Sequence, residues 1–118
     1  MDHPIWMGST KKDLAEASDE IRKTMGGAIR TAQQGGKSDD AEPMKDDLRD
    51  VTEVRCHDEN SIYRLMYTTK IGDSLYILDY FKKKGTTGGA TAKADLDRIR
   101  LRLKKAREHH AEQTARRR

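Results

Sequence analysis

The residues of this chain best suited to chemistry are Arg55, Arg64 and the run Lys82-Lys83-Lys84, with Glu53 and His57 beside them, and all lie between Thr52 and Lys84. This stretch reads as three consecutive strands. Side chains alternate across a strand with period two, so residues two apart share a face. In the first strand Val54 and Cys56 point one way, and Glu53, Arg55 and His57 point the other. In the second, Tyr63, Leu65, Tyr67 and Ile71 form one row, opposite Arg64, Met66, Thr68 and Lys70. The third strand, Leu75 to Phe81, runs into the three lysines. A guanidinium is a planar fork that grips phosphate bidentately, and an ammonium is a point charge for the same ligand. A small sheet with cations along one side therefore suits a polyphosphate backbone better than a neutral metabolite.

The elements that must position these residues are readable from pattern. Ile5-Trp6-Met7 follows Pro4 as a short strand. Ser9 or Thr10 caps a helix, and Thr10 with Asp13 makes a loose capping box. Leu14, Ala17, Ile21, Met25, Ala28 and Ala32 recur at spacings of three and four, the stripe of an amphipathic helix. Ser18 is a good cap for a second start, so the stretch divides into a short helix and a longer one. Gly26-Gly27 weakens the longer helix by about 1 kcal/mol per residue, unless the missing side chains permit close packing on the sheet. Gln34-Gly35-Gly36 ends it, and residues 36–50 read as a surface loop. Turns fall at Asp58-Glu59-Asn60-Ser61 and Gly72-Asp73. Gly85 to Gly89 is a flexible link, and Thr91 is expected to cap a last helix with apolar positions Leu96, Ile99, Leu103 and Ala106. The expected fold class is α+β: a small twisted antiparallel sheet, an N-terminal helical hairpin packed on the face with Val54, Cys56 and Leu65, and a C-terminal helix. Residues 1–113 form one domain in this reading, and 114–118 a basic, frayed tail.

Composition excludes several function classes. At 118 residues, 34% hydrophobic and 37% charged, the chain has material for one modest core. Its 24 Lys and Arg against 20 Asp and Glu leave a net charge of +4, concentrated from Lys82 onward, which points to an anionic partner. A single cysteine, Cys56, excludes an internal disulfide and a multi-cysteine metal site. His109-His110 lacks the i, i+4 spacing of a helical metal pair, and Gly85 to Gly89 lacks the nucleotide-loop pattern, so neither a metal nor another cofactor is expected. Met1 to Gly8 is too short and polar for a signal peptide, and no apolar run reaches membrane-spanning length. A soluble cytoplasmic protein is the expectation.

In order and spacing, the chain resembles the RelE/ParE superfamily of bacterial toxins, in its HigB-like, phage-derived branch. The residues that carry the resemblance are Glu53-Val54-Arg55, Tyr63-Arg64-Leu65-Met66-Tyr67 and Phe81-Lys82-Lys83-Lys84, with Ile5-Trp6 before a capped helix and Thr91 before a helix of Leu96 and Ile99. The resemblance implies a microbial RNase fold whose toxin members cleave messenger RNA, usually on the ribosome. It also implies a cognate antitoxin, often a helix-turn-helix (HigA-like) protein, in a hetero-oligomer. Two departures stand out: Ala92 occupies a position where the family commonly has Pro, and no Tyr follows Lys84. The second leaves the proton-transfer group unassigned, and a non-enzymatic ParE-like gyrase inhibitor or a degenerate toxin that only binds antitoxin is the alternative.

Cleavage of RNA by its own 2′-hydroxyl needs a base, cations to stabilise the phosphorane-like state, and an acid for the leaving oxygen. Arg64, on the polar row of a central strand, is the expected charge stabiliser. The competing reading is a salt bridge to Glu53. Arg55 is a second phosphate contact or an ordinary strand charge. Glu53 orients an arginine or serves as base, the first being favoured. His57 borders a turn, where it is an RNA contact or, more commonly, an exposed solvated histidine. On the resemblance, Lys83 or Lys84 supplies a proton or binds phosphate, while Lys82 and Lys70 hold RNA.

Overall fold

A computed structural model describes residues 3–84 and 91–117; the side chain of Lys84 and the predicted Gly85–Gly89 link lie outside the described part. The strands are β1 (Ile5–Trp6), β2 (Ala41–Pro43), β3 (Thr52–His57), β4 (Ser61–Ile71) and β5 (Ser74–Lys84). The helices are α1 (Thr10–Ala15), α2 (Asp19–Gln33) and α3 (Lys93–Arg116), with a 3₁₀ turn at Asp46–Leu48. The sheet order is β1-β5-β4-β3-β2. The β2–β3, β3–β4 and β4–β5 pairs are antiparallel, and β1 lies parallel to β5 with Ile5 opposite Tyr76. The fold is α+β, as expected, with the sheet mixed at one edge.

Helices cover both faces, because both faces of the three long strands carry apolar rows. Ile21, Met25, Ile29 and Ala32 of α2, with Leu14 of α1, pack on Val54, Leu65, Tyr67, Leu75 and Ile77. Cys56 joins that face half-buried. The division into two helices follows from Ser18, whose hydroxyl accepts the Ile21 amide at 3.3 Å and restarts the helix. Gly26 and Gly27 are not a packing device, since a Cβ at either would meet nothing within 4 Å.

The opposite face carries the predicted row of cations, and it is covered. Ile99, Leu103 and Ala106 of α3 pack on Met66, Tyr76 and Leu78, together with Leu48 and Val51. Two irregularities of the β4–β5 ladder explain why period two misplaced side chains. Met66 pairs with Asp79 but Tyr67 pairs with Ile77, so Leu78 is the extra residue of a bulge, and both Leu78 and Asp79 face α3. A second shift between Thr68 and Ile71 turns Ile71 to the α3 side, away from the row of Tyr63, Leu65 and Tyr67. The turn after it needs Gly72, whose φ is 56° and whose absent Cβ makes room for the ring of His110.

Residues 36–50 are not wholly a loop. Ala41–Pro43 adds an edge strand to β3, with Pro43 at its end where the missing amide costs no ladder bond. Leu48 is then buried under α3.

Candidate functional site

The site is built on three cross-strand rows of the α3 face. Paired residues of neighbouring strands share a side, so Glu53, Met66 and Asp79 form one row, Arg55, Arg64 and Phe81 the next, and His57, Ile62 and Lys83 the last. Glu53 is the hub. Its Oε1 accepts from Arg55 Nε at 2.8 Å and its Oε2 from Arg64 Nη1 at 3.1 Å. The same Arg64 nitrogen donates to Thr91 Oγ1 at 3.1 Å, and the Thr91 hydroxyl lies 3.5 Å from Glu53 Oε2. Burial grades steeply across the trio: the side chain of Arg64 is 0% exposed, Glu53 12% and Arg55 49%.

Thr91 thus does something other than cap α3. The residue at the N-cap is Ala92, which offers no side-chain acceptor, and Thr91 instead closes the segment before α3 over Arg64. The carboxylate held between two guanidiniums opens onto a groove of about 370 Å³ whose lining includes Met44, Lys45, Thr91, Leu96 and Arg100. Arg100 is engaged by Asp47 through two bonds of 2.7 and 3.2 Å and by Asp97 at 3.0 Å. That pairing holds the Asp47 carboxyl below its ordinary range, the Arg100 hydrogen bond being the main cause.

Along β5, the buried Asp79 anchors α3. It accepts from Arg98 Nε and Arg102 Nη1, both at 2.9 Å, and Arg98 also lies over the Phe81 ring at 5.3 Å. Asp79 and the two arginines were not singled out from the sequence, because a lone Asp inside an apolar strand signals a pairing only once the bulge at Leu78 turns it toward α3.

The predicted site residues separate as follows. Glu53, Arg55, Arg64, His57 and Lys83 share the α3 face, with His57 exposed at the hairpin end and its Nδ1 3.4 Å from the Asp58 carbonyl oxygen. Lys82 pairs with Tyr63 and so lies on the α2 side, exposed. Lys84 pairs through its backbone with Ser61. Lys70 is exposed six residues along β4 from Arg64, about 20 Å at strand rise. Lys45, Thr91 and Arg100 are the groove residues that sequence reasoning missed as functional.

Three titratable groups on the opposite, α2 face of the sheet stay protonated at neutral pH. Burial, helped by Asp40, Asp58 and Glu20, pushes the Cys56 thiol up to about 11. Burial pushes the Tyr80 hydroxyl up to about 12. The Tyr63 hydroxyl donates to Asp58 Oδ2 at 2.8 Å, which raises its own pKa, so none of the three is a ready base or nucleophile.

Comparison with known families decides the kinship. A family model, Phage derived protein Gp49-like (DUF891), matches residues 12–104, from α1 to the middle of α3. The chain belongs to the Gp49-like family. The match takes in β3, β4 and β5 entire, and so every residue of the Glu53 network. Comparison of this Gp49-like chain with curated proteins and with solved structures gives no match. Among the described residues no helix is long and apolar enough to cross a membrane, and no three His, Cys, Asp or Glu side chains are grouped to hold a metal ion.

Proposed function

We propose that this Gp49-like chain is the toxin of a toxin–antitoxin pair, of the RelE/HigB type, and cleaves messenger RNA on the ribosome. The observation that carries the reading is the Glu53 carboxylate held between Arg64 and Arg55 at the mouth of a groove. In this proposal the arginines divide the work by burial. Arg55, half exposed, meets the scissile phosphate and stabilises its growing charge. Glu53 fixes the Arg55 guanidinium, and Arg64, buried behind it, is a positioning residue that holds the carboxylate still. Lys83 and His57 lie one row beyond, on the same face, where the adjoining RNA backbone would run. The antitoxin, a helix-turn-helix protein in this reading, neutralises the toxin by covering the groove or by displacing α3.

The complete burial of Arg64 favours a second reading. A guanidinium closed in by Glu53 and Thr91 meets no substrate in this conformation, as in a toxin relative that binds its partner without cutting RNA. Mapping messenger RNA 5′ ends after induction separates the two. New ends inside reading frames, confined to ribosome-bound messages, are expected. Growth arrest without new ends would overturn the nuclease reading and favour the second.

A further inference from the structure

A second groove, beside the C-terminal end of α2 and sharing Pro43 with the first, has a different electrostatic character from the Glu53 site. It measures about 340 Å³ and is lined by Lys37, Arg49 and Lys70 together with Gly36, Pro43 and Thr69. The arginines of the first site are held by carboxylates: Arg55 and Arg64 by Glu53, and Arg100 by Asp47. Lys37, Arg49 and Lys70 are all exposed and form no ion pair among the described residues. The carboxylate in this lining, Asp50, is turned to Arg107 of α3 at 3.4 Å.

The groove is built rather than a chance meeting of surface charges. The buried hydroxyl of Thr68 donates to the Asp50 carbonyl oxygen at 2.7 Å and accepts the Lys70 amide at 3.1 Å. One side chain therefore ties the bulge that presents Lys70 to the segment that carries Arg49. Arg49 is steadied by a 3.2 Å bond from its Nη1 to the Asp46 carbonyl oxygen. On the opposite rim the chain reverses sharply out of α2 through Gly35, whose φ is 84°, and delivers Lys37. Tyr67 also borders the groove, but it is 3% exposed and offers no open ring for a base to stack on. Three unneutralised cations without a stacking platform select charge spacing rather than base identity.

We infer that the Lys37–Arg49–Lys70 groove binds the phosphodiester backbone of a single-stranded nucleic acid, independent of sequence. The nuclease reading makes that strand RNA. Backbone binding needs no cleavage, so this inference and the nuclease reading fail separately.

The test uses the full chain and a labelled single-stranded 2′-O-methyl oligonucleotide, which the 2′-hydroxyl route cannot cut. Binding is measured by anisotropy across a salt series. The triple variant Lys37→Ala/Arg49→Ala/Lys70→Ala, all at exposed positions, should fold as wild type and bind more weakly. Its slope of log affinity against log salt should be shallower by about 2, from roughly 0.7 for each phosphate no longer neutralised. A control triple at exposed lysines elsewhere, Lys11→Ala/Lys23→Ala/Lys104→Ala, should leave affinity within about threefold of wild type, a shift of less than the ~1.4 kcal/mol that a tenfold change represents. Equal losses in the two triples would mean diffuse charge attraction and would overturn the groove. So would tight binding of poly-glutamate with the same sensitivity to the groove triple, which would mark an acidic protein segment as the ligand. Displacement of the oligonucleotide by inorganic phosphate at equal phosphate concentration would overturn the backbone assignment in favour of a single-phosphate ligand. Sequence-scrambled oligonucleotides that compete equally would support it.

Discussion

Replacing Glu53 by Ala withdraws the acceptor from two guanidiniums of very different exposure, and the consequences follow from that difference. Arg64 would keep its charge at 0% exposure with Thr91 Oγ1 as its remaining neighbour in the Glu53 network. Breaking a buried pair by removing one partner costs about 3–5 kcal/mol, because the other charge stays desolvated. Arg55, at 49% exposure, can turn to water, and loss of such a pair costs at most about 1 kcal/mol. For a chain of this length about 1 kcal/mol lowers Tm by roughly 3–6 °C. Glu53→Ala should therefore melt ~9–30 °C below wild type, and Arg55→Ala no more than ~6 °C below it. The decisive variant is the double, Glu53→Ala/Arg64→Met, which also removes the buried charge and fills its volume. It should recover most of the lost stability, since an apolar replacement for a buried pair is often neutral. Thermal melts followed by circular dichroism, with urea titrations for the free energies, measure all three. A double variant no more stable than Glu53→Ala alone would show that the buried charge is not what makes the single variant unstable.

Two further outcomes follow from other parts of the molecule. Gly26→Ala and Gly27→Ala should each raise stability by up to about 1 kcal/mol, because both lie in mid-helix with space for a methyl group; a fall in the urea midpoint for either would show that a smaller residue is needed there. Asp58 accepts the Asn60 and Ser61 amides and the Tyr63 hydroxyl, and these bonds hold its pKa below the ordinary carboxylate value, the Asn60 amide contributing most. A depressed folded pKa means stability that is present above the unfolded value and lost as pH falls through the folded one. Asp58→Ala should thus destabilise the protein at neutral pH and flatten its stability profile on the acid side, and an acid limb as steep as that of wild type would contradict the assignment.

Much of the architecture was legible because it rests on local rules. Ser18, the Asp58 turn and Gly72-Asp73 each act within a few residues, and the stripe from Leu14 to Ala32 states its own face. What escaped was non-local. Alternation placed Arg64 correctly opposite Leu65, but no period-two argument says that α3 returns to cover the row. The apolar positions Leu96, Ile99 and Leu103 announced a helix with a buried face without saying which sheet face it buries. The bulge at Leu78 is likewise silent in sequence, and with it the clamp of Asp79 on Arg98 and Arg102. Thr91 looked like a cap because Thr before an amphipathic stretch usually is one. Its hydroxyl is drawn instead to the Arg64–Glu53 pair, a partner far away along the chain. For the same reason the cations divided: Lys83 joined the Glu53 face, while Lys82 took the other and Lys70 went to a separate groove.

The proposed division of labour among the arginines meets its most direct test in messenger RNA cleavage by Arg55→Ala. This variant removes an exposed guanidinium that the fold does not need, so its melting temperature and ribosome association should stay close to wild type. If Arg55 meets the scissile phosphate, the rate at which new messenger RNA 5′ ends appear on ribosomes should fall by at least about a hundredfold, the scale of losing one preorganised charge at the reacting group. Folded, ribosome-bound Arg55→Ala that cuts at the wild-type rate would contradict the assignment of this groove as the catalytic site.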